Sequence, residues 1–357
     1  MCEDEGARNR GAHPSPTRRG FLRAAAFGAL AAPSLASGGE PPAREKGARP
    51  VLRGSFSADA EQVRFFTPAL GAPLKIMVIG DTHLFMDDER GEPFRSFSAR
   101  MAGAYHQTKH VKTGLPTAPQ ESFEKAVQLA RETAADLFAM VGDIFSFPSE
   151  AAIEWAQATL KRAGVPFLYV AGNHDWHYEG MEGTEAALRS EWLGKRLLPL
   201  YQGNNPLMAA YDVKGVRFVA IDNSTYEILP EQLAFFREQV SCGLPLVLLM
   251  HIPLYAPGRP LGFGCGHPQW GAASDRNWRI ERRMKWPEAG HTPVTLAFHR
   301  EVFEAPSLLG VFTGHLHQAC LDVTNGVPQF VTAANAQGAH MTAEFLPQPR
   351  PGLRKKA

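Results

Sequence analysis

The sequence is poor in cysteine, carries almost no net charge and contains no long apolar run. Only 4 of its 357 residues are cysteine, which excludes a metal site built mainly from thiolates. A formal net charge of +1 gives no sign of a general nucleic-acid-binding protein. No apolar run reaches the roughly 18 residues that a membrane-spanning helix needs. Histidine, in contrast, occurs 13 times, so nitrogen and oxygen ligands would hold any bound metal.

A targeting segment is predicted at the N-terminus. Arg18 and Arg19 stand before a mildly apolar stretch, residues 24–36, which has small residues at the two positions that define a cleavage site. This order is typical of a secretory signal, and the paired arginines resemble the twin-arginine export signal of bacteria. Gly38 stands where a lipoprotein needs its lipid-bearing cysteine, so we expect no membrane anchor after cleavage. The resemblance implies a periplasmic or secreted protein; a disordered basic tail is the alternative.

Composition divides the chain into four predicted segments. They are the signal (1–36), a linker rich in glycine, proline and charge (37–50), a globular domain (51–346) and a proline-rich, then basic tail (347–357). Three cysteines remain after cleavage, and they are Cys242, Cys265 and Cys320. An odd number in an oxidising compartment allows at most one internal disulfide, and the sequence leaves the pairing open.

Apolar runs and amphipathic segments alternate along the globular domain. Strands are predicted at residues 74–79, 137–141, 167–171, 218–221, 246–250 and 308–312, with a last strand at 328–334. Helices are predicted at 122–133, 148–161 and 230–239, and a further helix ends at 305. This alternation favours a layered α/β domain with parallel strands.

Two long inserts, residues 84–120 and 254–294, interrupt the alternation. The second is rich in tryptophan and basic residues, which are Trp270, Trp278, Trp286, Arg259, Arg276, Arg279, Arg282, Arg283 and Lys285. We interpret it as a substrate cap in which arginines bind phosphate and tryptophans stack on a ring. The alternative is a surface subdomain whose tryptophans form their own small core. The histidines of the inserts and beyond are expected to be structural or solvated; they are His106, His110, His267, His291 and His299.

Polar side chains follow five of the predicted strands. They are Asp81 and His83; Asp143; Asn173, His174 and Asp175; His251; and His315 and His317. Ligands gather beyond the carboxyl ends of strands in α/β sheets, so these groups can converge although they are distant in sequence. Carboxylate, imidazole and amide ligands suit Mn, Fe or Zn, and paired metals are used to displace a group at phosphorus. The glycine before most of these residues fits a backbone that must turn sharply. Each group alone has a plainer interpretation as a turn or a core residue.

The five groups together resemble the calcineurin-like metallophosphoesterase superfamily. Its blocks run Asp-x-His, Gly-Asp, Gly-Asn-His-Asp/Glu, His and Gly-His-x-His, and each has a match here between Asp81 and His317. The resemblance implies an α/β fold of two facing mixed β-sheets flanked by helices, a four-layer αββα sandwich. It also implies roles for the matched residues: Asp81, His83 and His317 hold one metal, Asn173, His251 and His315 hold the other, and Asp143 bridges them. His174 would act beside the substrate, and Asp175 would orient the His174 ring.

The chain departs from the family pattern beside the bridging residue. Ser146 stands where purple acid phosphatases use a tyrosine ligand, so a tyrosinate–iron site is not expected. Residues 144–147 also lack the Asp or Asn that supports the metal ligands in many members.

The predicted function is that of an exported binuclear-metal phosphoesterase acting on a small-molecule phosphoester by metal-hydroxide attack. Two divalent or trivalent ions (Mn, Fe or Zn) are the expected cofactors. The motifs do not separate a phosphodiesterase from a phosphate-scavenging phosphomonoesterase. A non-catalytic metal-bound binding protein is the alternative from another class. No feature indicates a nucleic-acid partner, and the oligomeric state is left open.

Overall fold

The computed structural model describes residues 54–59, 61–104, 108–259, 265–270 and 290–348. Its strands are β1 (Ser55–Ala58), β2 (Gln62–Thr67), β3 (Leu74–Ile79), β4 (Thr108–Lys109), β5 (Pro116–Thr117), β6 (Leu137–Val141), β7 (Phe167–Val170), β8 (Met208–Val213), β9 (Val216–Ile221), β10 (Leu246–Leu249), β11 (Leu308–Thr313), β12 (Cys320–Thr324), β13 (Val327–Val331) and β14 (Met341–Pro347). Its α-helices are α1 (Arg95–Ala104), α2 (Pro119–Glu132), α3 (Glu150–Ala163), α4 (Glu185–Trp192), α5 (Pro230–Ser241) and α6 (Pro293–Glu304).

Twelve of these strands form two six-stranded mixed sheets. The order of the first is β1-β2-β14-β3-β6-β7, and the order of the second is β12-β13-β11-β10-β9-β8. In the first sheet β3, β6 and β7 are parallel neighbours. In the second sheet β9, β10, β11 and β13 are parallel. The strands that were predicted to carry ligands therefore lie in the parallel halves of the two sheets, where their carboxyl ends share an edge.

The two sheets pack face to face, which confirms the predicted sandwich. Successive residues of β3 alternate between two hydrophobic clusters: Ile76 and Val78 join the cluster between the sheets, and Met77 joins the cluster on the outer face. Both faces of the strand are covered, which is why all of its residues except Lys75 are apolar. Phe65 crosses the inter-sheet space, since its ring stacks on Phe345 of its own sheet and meets Phe330 of the other edge-on.

Helices cover the outer faces, and local signals set their ends. The Ser149 side chain accepts a hydrogen bond from the Ala152 N–H at the start of α3, and Gly164 ends the helix in the left-handed conformation. Thr292 caps α6 in the same manner as Ser149 caps α3.

The C-terminal prediction was wrong in one respect. Residues 327–331 do form a strand, but it is not the last one, because β14 follows it and lies between β2 and β3 in the first sheet. Four further sheet strands, β1, β2, β8 and β12, were not predicted. The 84–120 insert contains α1 and the short β4–β5 hairpin, and its Val111 N–H donates to the Gln337 carbonyl.

The described part of the chain contains no helix that is both long and apolar enough to span a bilayer. Its three cysteines are all unpaired: Cys265 is buried, and Cys242 and Cys320 are partly exposed.

Candidate metal centre

Seven of the predicted ligands come together where the carboxyl ends of the parallel strands meet. Six of them form two groups of three, in which one ligand atom from each residue lies within 4.8 Å of the others. The first group is Asp81, His83 and His317, and the second is Asp143, His251 and His315. β3 and β11 supply the first group; β6, β10 and β11 supply the second. Each group spans both sheets, so the site exists only in the assembled sandwich.

The backbone turns at the ligands themselves rather than at the glycines before them. Five ligand residues have a positive φ, between 50° and 71°; they are Asp81, His83, Asp143, His315 and His317. The left-handed region is unfavourable for residues with a side chain and is found where surrounding contacts impose it, often at functional sites. The expectation that the glycines make the turns holds for Gly142, whose φ is 88°, but not for Gly172 or Gly314.

Gly172 and Gly314 provide space instead. A Cβ atom on Gly172 would lie 2.2 Å from Asp143 Oδ1, and one on Gly314 would lie 2.6 Å from Asp81 Oδ2. Both distances are far below van der Waals contact. Each glycine therefore allows a ligand carboxylate to pack directly against a neighbouring strand end.

The first group brings three lone-pair donors together. His317 Nε2 lies 3.1 Å from His83 Nε2 and 3.3 Å from Asp81 Oδ1. The Asp81 carboxylate is oriented by the His315 backbone N–H, which donates to its Oδ2 at 2.8 Å. Burial lowers the pKa of His83 well below its usual value. Burial also acts to lower the pKa of His317, but the Asp81 carboxylate outweighs it and raises the pKa. A cation at this point would accept a lone pair from each of these three ligand atoms.

The second group also brings the lone pairs of its ligand atoms close together. The His251 Nδ1–H donates to the Val141 carbonyl at 2.8 Å, so in the neutral ring Nε2 carries a lone pair. That lone pair faces Asp143 Oδ2 at 3.2 Å. Two lone pairs at this distance repel each other unless a proton or a metal cation lies between them. Burial would lower the pKa of His251, yet the Asp143 carboxylate raises it to about 9, which shows how strongly this point attracts positive charge.

Asn173, the seventh predicted ligand, has a buried side-chain oxygen that is available for a further contact. Its side chain is buried, and within the described ranges its Oδ1 accepts no hydrogen bond, which a buried amide oxygen rarely tolerates. The complete donor set is imidazole nitrogen, carboxylate oxygen and amide oxygen. This set fits two ions of the Mn, Fe or Zn type and leaves the choice among them open.

His174 lies beside the first group. Its ring meets the His83 ring edge-on, with centroids 5.0 Å apart, and its backbone N–H donates to Asp143 Oδ1 at 2.8 Å. The side chain is half-buried, and burial lowers its pKa. The ring of His174 is thus placed next to the first donor group.

Asp175 does not have the role that was predicted for it. Its fully buried carboxylate accepts three backbone hydrogen bonds: Oδ2 from Asp143 N–H at 2.9 Å and Gly172 N–H at 2.7 Å, and Oδ1 from Phe145 N–H at 2.8 Å. Asp175 therefore ties together the loops after β6 and β7 instead of orienting the His174 ring. Burial, followed by the charge of Asp143, raises its pKa to about 7. Adjacency in sequence suggested His174 as its target, but the side chain points toward the backbone.

Ser146 supplies support that the sequence left in doubt. Its hydroxyl donates to the His83 carbonyl at 3.1 Å, and Leu84 and Phe145 form a parallel bridge beside it. The loop after β6 is thereby fastened to the loop after β3, although residues 144–147 contain no Asp or Asn.

Sequence reasoning missed two residues on the loop after β9. Asn223 Oδ1 accepts from the backbone N–H groups of His251 and Ile252, at 3.2 and 3.0 Å. The Tyr226 hydroxyl lies 2.5 Å from His315 Nε2. The signal was available, because residues 222–226 follow a predicted strand just as the ligand groups do.

The described parts of the 254–294 insert contain both buried and exposed residues. Trp270 is buried, and its ring stacks on Tyr226 at 5.1 Å and on His291 at 4.7 Å, so it is not placed to stack on a substrate. The predicted cap residues Trp278, Trp286, Arg276, Arg279, Arg282, Arg283 and Lys285 lie outside the described residues.

The other insert histidines contact protein groups. His291 Nδ1 lies 3.0 Å from Glu227 Oε1, His299 Nε2 lies 2.8 Å from the Tyr255 carbonyl, and the His267 ring meets the Tyr255 ring edge-on. His110 Nδ1 accepts from the Lys112 N–H at 3.2 Å, and His106 lies outside the described residues.

Comparisons with known proteins give one matching family model. The model of a family described as calcineurin-like phosphoesterase matches residues 74–319. Among solved structures, a dimetal phosphatase from Danio rerio is 13% identical, with a TM-score of 0.47 over 76% of this chain and 93% of that one. The protein TT1561 of Thermus thermophilus is 13% identical, with a TM-score of 0.41 over 74% and 91%. A purple acid phosphatase from yellow lupin is 13% identical, with a TM-score of 0.43 over 78% and 46%. A comparison with curated proteins gave no match.

Proposed function

The chain belongs to the calcineurin-like phosphoesterase family, and from that premise we propose that it is an exported phosphoesterase with a binuclear metal centre. The observation that carries the proposal is the pair of donor groups that share one edge of the sandwich. Asp81, His83 and His317 would hold one ion, and Asn173, His251 and His315 the other. Asp143 would bridge them.

When bound, such a pair of ions lowers the pKa of a water and offsets the charge that develops in phosphoryl displacement. The protein's own part is positioning. The His174 backbone is fixed by its hydrogen bond to Asp143, so the ring is held next to the centre at a half-buried position. From there it would donate a hydrogen bond to the phosphoryl group or a proton to the departing oxygen.

A substrate panel with metal analysis tests the proposal. The purified protein is loaded with Mn²⁺, Fe²⁺ or Zn²⁺ and assayed on bis-p-nitrophenyl phosphate, p-nitrophenyl phosphate and a cyclic nucleotide. We expect two metal ions per chain and turnover of at least one of the three esters. The preferred ester identifies the protein as a diesterase or a monoesterase. Two bound ions with no turnover on any of them would favour the non-catalytic binding protein instead.

Export is proposed from the sequence of residues 1–36, which lie outside the described residues. Fusing residues 1–45 to a folded reporter tests the route. We expect export that is lost when Arg18→Lys and Arg19→Lys are combined, because the twin-arginine route reads the arginine pair. Export that survives the double substitution would contradict this part of the proposal.

A further inference from the structure

The loop after β9, residues 222–228, supplies none of the proposed ligands but contacts two of them. Asn223 Oδ1 accepts the backbone N–H of His251 and so fixes the start of the segment that carries this ligand. Tyr226 reaches the other side of the same group, where its hydroxyl lies 2.5 Å from His315 Nε2. The loop therefore contacts two of the three residues of the second donor group, His251 and His315.

Tyr226 itself is held rigidly. Its side chain is fully buried, and its φ of 63° is costly for an aromatic residue, so the surrounding contacts must impose this conformation. The backbone N–H of Tyr226 donates to the Asn223 carbonyl at 2.8 Å. Its ring lies parallel to that of Trp270, with an interplanar angle of 2° and centroids 5.1 Å apart. A hydroxyl held in this way has little freedom to move away from His315.

Trp270, on which Tyr226 stacks, is also held by contacts within the protein. Trp270 stacks on His291 at 4.7 Å, and His291 Nδ1 lies 3.0 Å from Glu227 Oε1. The other Glu227 oxygen accepts from Thr292 N–H at 3.1 Å, at the start of α6. The stack thus connects the described flanks of the 254–294 insert to the imidazole of His315.

We propose that Tyr226 is a positioning residue for His315, which it holds in the tautomer and orientation that present Nδ1 to a metal. The proposal rests on the binuclear centre proposed above. A histidine that binds metal through one ring nitrogen carries a proton on the other, and a fixed oxygen that accepts this proton orients the ring. The Tyr226 hydroxyl occupies that position at Nε2, so Nδ1 is the nitrogen assigned to the metal. The loss of such a partner typically weakens metal binding by about 10–100-fold.

Tyr226→Phe tests this role, because it removes the hydroxyl and keeps the ring in its stack. Metal-free full-length protein is titrated with Co²⁺ while its visible absorption is recorded, and bound metal is measured by mass spectrometry. We expect the variant to bind one Co²⁺ as the wild type does. The second should bind about 10–100-fold more weakly, with an altered absorption spectrum. Tyr211→Phe is the matched control, since Tyr211 lies in the cluster between the sheets, and it should bind as the wild type does.

Unchanged affinities and spectrum in Tyr226→Phe would overturn the proposal. A wild-type protein that binds fewer than two Co²⁺ would instead refute the binuclear centre, and the inference with it. If the variant does not fold, ¹⁵N spectra of the histidine rings in Zn²⁺-loaded wild-type protein decide the question. A His315 ring that carries its proton on Nε2 and its metal on Nδ1 supports the proposal, and metal on Nε2 overturns it.

Discussion

Gly172→Ala is the sharpest test of how the donor groups are placed, because it adds one methyl group at a point where the structure has no room. The new Cβ would lie 2.2 Å from Asp143 Oδ1 and 2.3 Å from Asp143 N. Carbon needs roughly 3.5 Å for van der Waals contact, so either Asp143 or residue 172 must move by about 1 Å. The φ of Gly172 is not in the positive region, so lack of space alone produces the effect.

Asp143 cannot easily move aside. Its backbone N–H is bonded to Asp175 Oδ2, its Oδ1 accepts from the His174 N–H, and its own φ is 50°. Overpacking of this kind costs about 1–3 kcal/mol of unfolding free energy. Metal ligands tolerate errors of only about 0.2 Å, and a misplacement of about 1 Å near the chemistry can cost about 100-fold in rate. Metal binding and turnover should therefore fall much more than stability does.

The assay combines urea unfolding, metal content and kcat/KM on the ester preferred in the substrate panel. We expect Gly172→Ala to fold with a lower unfolding midpoint, to lose bound metal, and to lose about 100-fold or more in kcat/KM. Gly103→Ala is the matched control, since Gly103 lies in α1 with no neighbouring atom within 4 Å of an added Cβ. It should keep full activity and gain about 0.5–1 kcal/mol of stability. A Gly172→Ala variant with wild-type stability, metal content and activity would refute the placement of Asp143.

Three further outcomes are expected from the same site. Asp143→Asn should lose metal and activity together, because a neutral amide cannot offset the charge of two cations; full activity would remove the bridging role. His174→Ala should lower kcat strongly and leave the metal content intact, whereas loss of both metals would identify His174 as a ligand. Chelation should lower the unfolding free energy by about 3 kcal/mol per ion held at 100 times its dissociation constant, and an unchanged unfolding curve would contradict metal binding to the folded state.

The sequence revealed the ligand-bearing strands because these strands are buried on both faces. β3, β6, β10 and β11 appear as mainly apolar runs, each with a predicted ligand two positions after its last residue, and this pattern needs no knowledge of the neighbouring strands. The strands that were missed are more exposed. In β2, Val63 and Phe65 are buried while Gln62 and Arg64 are exposed, so polar residues interrupt the apolar run. The central position of β14 depends on pairings such as Met341 with Val78, which are far apart in sequence.

The same distinction separates the parts of the site that could be predicted from those that could not. The identity of a ligand can be predicted from the residue type that follows a strand. Every predicted ligand lies at the edge where the carboxyl ends of the parallel strands meet. The position of each ligand depends on residues whose contacts can be seen only in the folded structure. Asp175 binds backbone amides rather than the ring beside it, and Tyr226 reaches His315 across 89 positions of sequence.

Variants of residues that position the ligands, such as Gly172 and Tyr226, are therefore more informative than variants of the ligands themselves. Removing a ligand should weaken any metal site, whatever its geometry. Gly172→Ala and Tyr226→Phe leave every proposed donor in the chain and alter only where one of them points. Tyr226→Phe should weaken only the ion that His251 and His315 would hold, whereas Gly172→Ala, which displaces the proposed bridging residue Asp143, should weaken both ions. Such a difference would distinguish a residue that positions the ligand of one ion from a residue that positions the ligand shared by both.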